Sequence, residues 1–315
     1  MDDELRSNFV VNSISDSGGR IFPKSAPEIK KAIDWKNSGG KLAQLALTTN
    51  RREASSAESP TIYIDVTNSD YSKPEEAKRR AVSALESGKH YVSANKVALS
   101  SYFSEILDLA KSRGLKVGMG ATICGGRHAI SVARNIPRDE IVRARAVLNA
   151  STTLILSELE NNPDLSFEEA CKNAAQAGVL ESDWSIDLDG IDAAAKTSIL
   201  SNVLFPESRV SLKSIPRKGI RDEEALKMIR SQRSKGGETP DRVRLVSEIS
   251  REDTFVEPKL VSKDSPLAVG GRFNCVLFET RTLGEISVRN FGAGVALTVS
   301  VIVSDLKEIS TAILA

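Results

Sequence analysis

The 315-residue sequence predicts an α/β chain: a parallel sheet layered with crossover helices, then a second domain of α+β character. Three observations lead there. Between residues 60 and 120 strand-like and helix-like runs alternate with connections of a few residues, which calls for parallel strands joined by helices. Beyond residue 235 the pattern turns to β-strands. An apolar helix-like run then closes the chain, placed to return to the first domain. The expected division is residues 1–135, 136–289 and 290–315.

Element by element, "FVVNSIS" (9–15) reads as a strand running into the glycine turn "DSGG". "APEIKKAIDWKNSGG" reads as a helix with Pro27 in its first turn and glycines past its end. "TIYIDVT" is a buried strand, "KPEEAKRRAVSALESGKH" an amphipathic helix closing on Gly88, and "YVSANK" a strand end. "SYFSEILDLAKSRG" is helical and "LKVGMGAT" a short strand. In the second domain "IVRARAVLNAS" alternates as a strand, and "TTLILSEL" and "SFEEACKNAAQAG" are helices. The latter carries Ser166 as N-cap, Glu169 at the capping-box position and Gly178 as a stop. "RVRLVSEIS", "FVEPKLVS", "FNCVLFETRT" and "EISVRNFGAG" are strands, and "VALTVSVIVSDLKEI" is the last helix.

Composition narrows the function. Forty-three basic and 42 acidic residues leave a net charge of +1, which argues against a nucleic-acid partner. Cys124, Cys171 and Cys275 form no CxxC pair, so neither a metal site nor a disulfide framework is expected. No apolar run reaches about 18 residues and the start is polar, which predicts a cytoplasmic protein with no membrane partner.

The chemistry concentrates in "ESDWSIDLDGIDAAAK" (181–196), with five carboxylates and one lysine in sixteen positions. Asp192 and Lys196 are four apart and share a helix face that Ile199 and Val203 continue as an apolar stripe. Asp187 and Asp189 precede Gly190, where acids suit the positive end of a helix. One reading is an acidic helix start with an ordinary Asp–Lys pair. The other is a lysine held by carboxylates at a pocket wall, able to give a proton to a developing alkoxide, with further acids to grip a cationic substrate group. Spacing leaves both open. "SANKVAL" places Asn95 and Lys96 at a strand end, where open α/β sheets bind ligands. "GATICGG" and "NFGAGVAL" are glycine-rich turns whose amides either face a phosphate or only tighten the chain. His90 and His128 read as structural.

In order, these segments resemble the homoserine dehydrogenase family. Residues 181–200 are similar to its E-x-D-P-x-x-D-x-x-G-x-D-A-x-x-K signature, "SANKVAL" to its ANK segment, "GATICGG" to its A-T-V-x-G-G turn, "VLNASTTLIL" to its N-G-T-T-N-x-I-L segment, and "FGAG" to its final turn. The resemblance implies a Rossmann-like dinucleotide domain over 1–135, a substrate and dimerisation domain over 136–289, and a last helix, 290–315, packed back on the first. It implies NAD- or NADP-dependent interconversion of aspartate 4-semialdehyde and L-homoserine by a homodimer. Lys196 would protonate the carbonyl oxygen, with Lys96 facing it. Glu181, Asp187 and Ser151 would bind substrate, and Asp192 would orient Lys196. Asp16, Thr67, Ser93, Asn95, Lys96, Ala121 and Gly292 would contact the cofactor. Asp16, after "VVNSIS", would accept from a ribose 2′-hydroxyl and favour NAD, with Arg20 able to reverse this; equally it could only start the turn.

The sequence also departs from the family. No G-x-G-x-x-G turn precedes "FVVNSISDS", so the first strand and helix of the dinucleotide fold are expected to be missing, leaving exposed sheet edges. Gly120 stands where an acid is usual, which weakens a sodium site. Arg127-His128, Ala150-Ser151, Val179 and Trp184 replace an apolar-proline pair, Gly-Thr, an aromatic and proline. A relative that kept the fold as a non-catalytic binding protein is the alternative.

Overall fold

The computed structural model describes residues 9–45, 61–123, 127–137, 139–180, 183–234, 241–292 and 294–314. The chain divides into two compact units, residues 1–62 and 63–315.

In the first unit β1 (Ile14–Asp16) pairs antiparallel with β2 (Gly19–Ile21), and α1 (Ala26–Asn37) follows. Ser25 caps α1 and Pro27 sits in its first turn, as the sequence predicts. Ile21, Ala32 and Leu42 make a small apolar core. The strand expected over 9–15 shrinks to its last residues. Residues 9–13 form no regular structure, and Val10 is 93% exposed. A β-branched apolar run suits a strand, but a strand persists only beside a neighbour and over a packed face.

The second unit contains two sheets. The first has the order β3-β4-β5: β3 (Ile62–Asp65), β4 (His90–Ser93) and β5 (Val117–Gly118), with β4 and β5 parallel. Two helices, α2 (Pro74–Glu86) and α3 (Val97–Ser112), supply the crossovers and pack on each other. α3 starts directly after Lys96, four residues earlier than the sequence suggested. A short helix α4 (Arg127–Asn135), to which the sequence reading assigned nothing, leads into the other sheet.

That sheet is antiparallel throughout, in the order β10-β9-β6-β7-β8, from β6 (Ile141–Val147), β7 (Asp241–Ser250), β8 (Thr254–Ser262), β9 (Phe273–Thr280) and β10 (Glu285–Phe291). Its helices are α5 (Ala150–Asn161), α6 (Phe167–Gln176), the single turn α7 (Ser185–Leu188), α8 (Ile191–Leu204) and α9 (Glu223–Ser234). The capping box of Ser166 and Glu169 is present.

Helix α8 is the spine. Ala193, Ala194, Ala195, Ile199 and Leu200 are almost wholly buried, and α8 touches α3, α4, β7 and β8. Small side chains let neighbours approach on every side, so its charged residues are drawn into the interior with it. The last helix, α10 (Val295–Leu314), packs against β4, β5 and the turn Gly120–Thr122. There buried Asp305 accepts the Gly120 N–H at 2.9 Å. Among the described residues no helix is long and apolar enough to cross a membrane.

Candidate active site

Gly190 opens α8 in the left-handed region (φ 73°), with the Lys218 carbonyl 3.3 Å from where a Cβ would stand. A glycine is therefore needed to turn the chain into the helix. Two residues on, Asp192 is 3% exposed and lies one turn before Lys196. Lys196 Nζ is 2.6 Å from Asp192 Oδ2 and donates to the Leu148 carbonyl at 2.9 Å. Lys96 Nζ, from the start of α3, is 2.9 Å from Asp192 Oδ1. The Tyr71 hydroxyl donates to the same oxygen at 3.4 Å. Burial alone would raise the Asp192 carboxyl, but the Lys196 and Lys96 ammoniums prevail and hold it well below the usual carboxylate range. The pair is thus no ordinary surface bridge: one buried carboxylate holds two ammoniums from different helices.

Asn149, the N-cap of α5, ties this group to a second acid. Its Nδ2 donates to Asp187 Oδ1 at 2.7 Å and to Asp192 Oδ2 at 3.0 Å. Its Oδ1 accepts from the Thr152 N–H at 2.8 Å and the Ser151 hydroxyl at 2.5 Å. Ser151 also lies 2.7 Å from Asp187 Oδ1. Asp187 sits in α7 rather than in an irregular loop and is 3% exposed. Lys96, Lys196, Asp187, Asp192, Asn149 and Ser151 all line one cleft of about 290 Å³.

The turn that carries Lys96 is braced from below. Asn95 Nδ2 donates to Thr67 Oγ1 at 3.0 Å and to the Asn68 carbonyl at 2.8 Å, while its Oδ1 takes the Val97 N–H. Ser93 donates to the Asn95 carbonyl at 2.7 Å. Thr67 in turn donates to Asp65, a buried acid held by Arg80 at 3.0 Å and by the Tyr91 hydroxyl at 3.2 Å. Thr67, Ser93 and Asn95, which the resemblance assigns to the cofactor, are thereby brought together beside Lys96, but they hydrogen-bond one another.

Ala121 and Gly292 also reach the cleft, with Thr122, Gly294 and Thr298. A Cβ on Gly292 would overlap the Asn274 carboxamide and crowd the Arg272 carbonyl, so the wall stays as low as backbone there. Asp16 lies in the other unit. Its carboxylate accepts the N–H groups of Gly18 (2.8 Å), Gly19 (3.0 Å) and Leu42 (3.1 Å) and pairs with Lys36 at 2.7 Å. The hydrogen bond from Lys36 comes first among the causes that hold it far below its ordinary value. The Gly18 and Gly19 bonds are those of a residue that starts a turn. Arg20 donates to Ser15 at 2.9 Å. Glu181 lies outside the described residues, as does Cys124.

Sequence reasoning did not single out Asn149, Tyr71 or Arg80. Asn149 sits inside a quoted motif, and its place immediately before an apolar helical run marks it as a cap. The contacts of Tyr71 and Asn149 with α8 span 121 and 43 residues, and nothing local in sequence signals such pairings.

The sequence model described as homoserine dehydrogenase matches residues 130–306. The homoserine dehydrogenase of Methanocaldococcus jannaschii is 33% identical over 98% of this chain and 91% of its own length. Among solved structures, the chain resembles a putative homoserine dehydrogenase from Archaeoglobus fulgidus (TM-score 0.80, 29% identity, 98% of this chain and 92% of that one). It also resembles a hyperthermophilic archaeal homoserine dehydrogenase in complex with NADPH (TM-score 0.75, 28% identity, 95% and 88%). Motifs, fold and relatives agree: the chain belongs to the homoserine dehydrogenase family of NAD(P)-dependent oxidoreductases.

Proposed function

We propose that the chain interconverts L-aspartate 4-semialdehyde and L-homoserine with NAD(P), in the cleft lined by Lys96, Asp192 and Lys196. The observation that carries this is the buried Asp192 carboxylate shared by two ammoniums (2.9 and 2.6 Å) at a cleft that a second acid, Asp187, also lines. When bound, the reduced nicotinamide would supply the hydride for the aldehyde carbon. The protein's task is then to neutralise and protonate the oxygen. Lys196 donates that proton; Asp192 and the Leu148 carbonyl aim its ammonium. Lys96, on the opposite oxygen of Asp192, adds positive potential where negative charge develops. Two lysines this close would repel and shed a proton without a carboxylate between them, and Asp192 removes that cost.

Asp187 and Ser151 bind the polar end of the substrate, and Glu181 adds a second acid for its ammonium group. Ala121 and Gly292 form the wall for the nicotinamide, and Thr67, Ser93 and Asn95 set the height of Lys96 beneath it. Residues 1–135 serve nucleotide binding, 136–289 substrate binding and dimerisation, and 290–315 return to the nucleotide part. Homodimerisation uses the face of the second sheet that the helices leave uncovered, where Arg143 and Arg145 meet Glu279. The enzyme works in the cytoplasm.

The test is direct. Purified chain is mixed with aspartate semialdehyde and NADH or NADPH, and loss of the reduced nicotinamide is followed. Stoichiometric formation of homoserine is expected. Absence of turnover, with no binding of any nicotinamide nucleotide at millimolar concentration, would overturn the proposal in favour of a non-catalytic relative.

A further inference from the structure

We infer that Asn149 is a positioning residue whose two amide protons keep the substrate-binding acid Asp187 and the lysine-holding acid Asp192 ionised side by side. The inference rests on the function proposed above. Both carboxylates accept from one nitrogen, at 2.7 and 3.0 Å, and Asn149 itself is 2% exposed. Two buried carboxylates at such a spacing ordinarily share a proton, because like charges raise one of the two. Both lysines lie against Asp192. A neutral amide resolves it for the pair: it adds no charge, gives each acid one N–H and has no proton to lose.

The orientation of that amide is fixed by its other end. Oδ1 accepts the Thr152 N–H and the Ser151 hydroxyl, so Nδ2 is committed to the carboxylates. Among the described residues, Asn149 meets Asp187 of α7 and Asp192 of α8, and Asp192 in turn meets Lys196 of α8, Lys96 at the start of α3 and Tyr71 from the loop before α2. An amide at this point therefore sets the proton count of the cleft. It also fixes the distance from the substrate's charged end to the lysines.

The isosteric change Asn149→Asp distinguishes this role from packing. It replaces the double donor by an acceptor and puts a third carboxylate among the other two. At neutral pH kcat/KM should fall at least about 100-fold. As pH is lowered the new carboxyl takes up a proton and regains one donor, so the ratio of variant to parent activity should rise. Asn149→Ala removes the donor and adds no carboxyl, so one of the two acids takes up a proton as pH is lowered; its ratio, at least tenfold below the parent, should fall over the range where the Asn149→Asp ratio rises.

A second readout needs no turnover and so separates this inference from the proposed reaction. The pKa of the introduced carboxyl is raised in the folded state, so its penalty on Tm should shrink as pH falls below that pKa and grow as pH rises through it. Parent turnover that is absent while this Tm pattern holds would strike the reaction and leave Asn149 its role. A pH-independent ratio and Tm difference for Asn149→Asp would overturn the inference. So would Asn149→Ala with kcat and KM within twofold of the parent.

Discussion

Two aspartates, Asp16 in the first unit and Asp192 in the second, look alike by one measure and differ by every other. Each has a lysine within 2.7 Å and each is held far below its ordinary pKa. Asp16 spends its oxygens on three backbone N–H groups and one exposed lysine, all from its own unit. It organises a turn. Asp192 takes no backbone donor among its described contacts; it is met by two lysines, an amide and a phenol from separate elements, and the lysines line a cleft. A depressed pKa therefore does not mark a site. What marks it is the source of the donors: backbone donors close a carboxylate into local structure, whereas cationic side chains gathered from distant segments bring their charge to a cleft wall.

The comparison can be broken by mutation, and the largest effect should come from Asp192→Asn. Removing one partner of a buried ionic group typically costs about 3–5 kcal/mol, here because two ammoniums lose their counter-charge. Denaturant unfolding of the variant should show a loss of that size, together with near-complete loss of turnover. The sign with pH is fixed as well. The Asp192 pKa is lower in the folded than in the unfolded chain, so its stabilisation is complete above the unfolded value of about 4 and fades as pH falls through the folded one. Parent and variant stabilities should converge as the solution is acidified below pH ~4.

Lys96→Ala should come next. It removes positive potential from the developing oxyanion and one support of Asp192, so kcat should drop by about 10²-fold, the usual scale for such groups, and KM should rise. An unchanged kcat in steady-state assays would reduce Lys96 to a structural partner. Asp16→Asn should act least. The turn at Gly18 and Gly19 should loosen and Tm should fall by less than in Asp192→Asn, while the NADPH-to-NADH preference stays within about twofold. A shift of that preference beyond tenfold would return Asp16 to the ribose.

Light scattering sharpens the assembly side of the account. A homodimer at micromolar concentration is expected, and a stable monomer would remove the uncovered sheet face from consideration.

The two regions also differ in how far the sequence revealed them. Around Asp192 every signal was local: i,i+4 spacing, a glycine at a helix start, an apolar stripe beyond. Local signals define helices well, and both the helix and the inward turn of its charged face follow from them. The partners of Asp192 were not local. Asn149 and Tyr71 reach it only after the two sheets have placed α8 between them. Around Asp16 the apolar run of "FVVNSIS" before a glycine turn suited a strand, yet ladder pairing is a tertiary event, and only Ile14–Asp16 found a neighbour. Helix α9 escaped the sequence reading although Glu223 and Glu224 stand in its first turn. Its polar, lysine- and arginine-rich body shows little of the apolar periodicity on which such readings depend.

Lys196→Ala tests the central claim most directly. Lys196 is 12% exposed at its side chain and is one of two ammoniums on buried Asp192, so its loss should cost stability, less than Asp192→Asn because Lys96 remains, while the nucleotide Kd stays nearly unchanged. With aspartate semialdehyde saturating, kcat should fall by about 10²-fold or more, as expected when a general acid is removed. A folded Lys196→Ala protein that turns over at the parent rate would contradict the account and leave the Asp192–Lys196 pair a structural bridge.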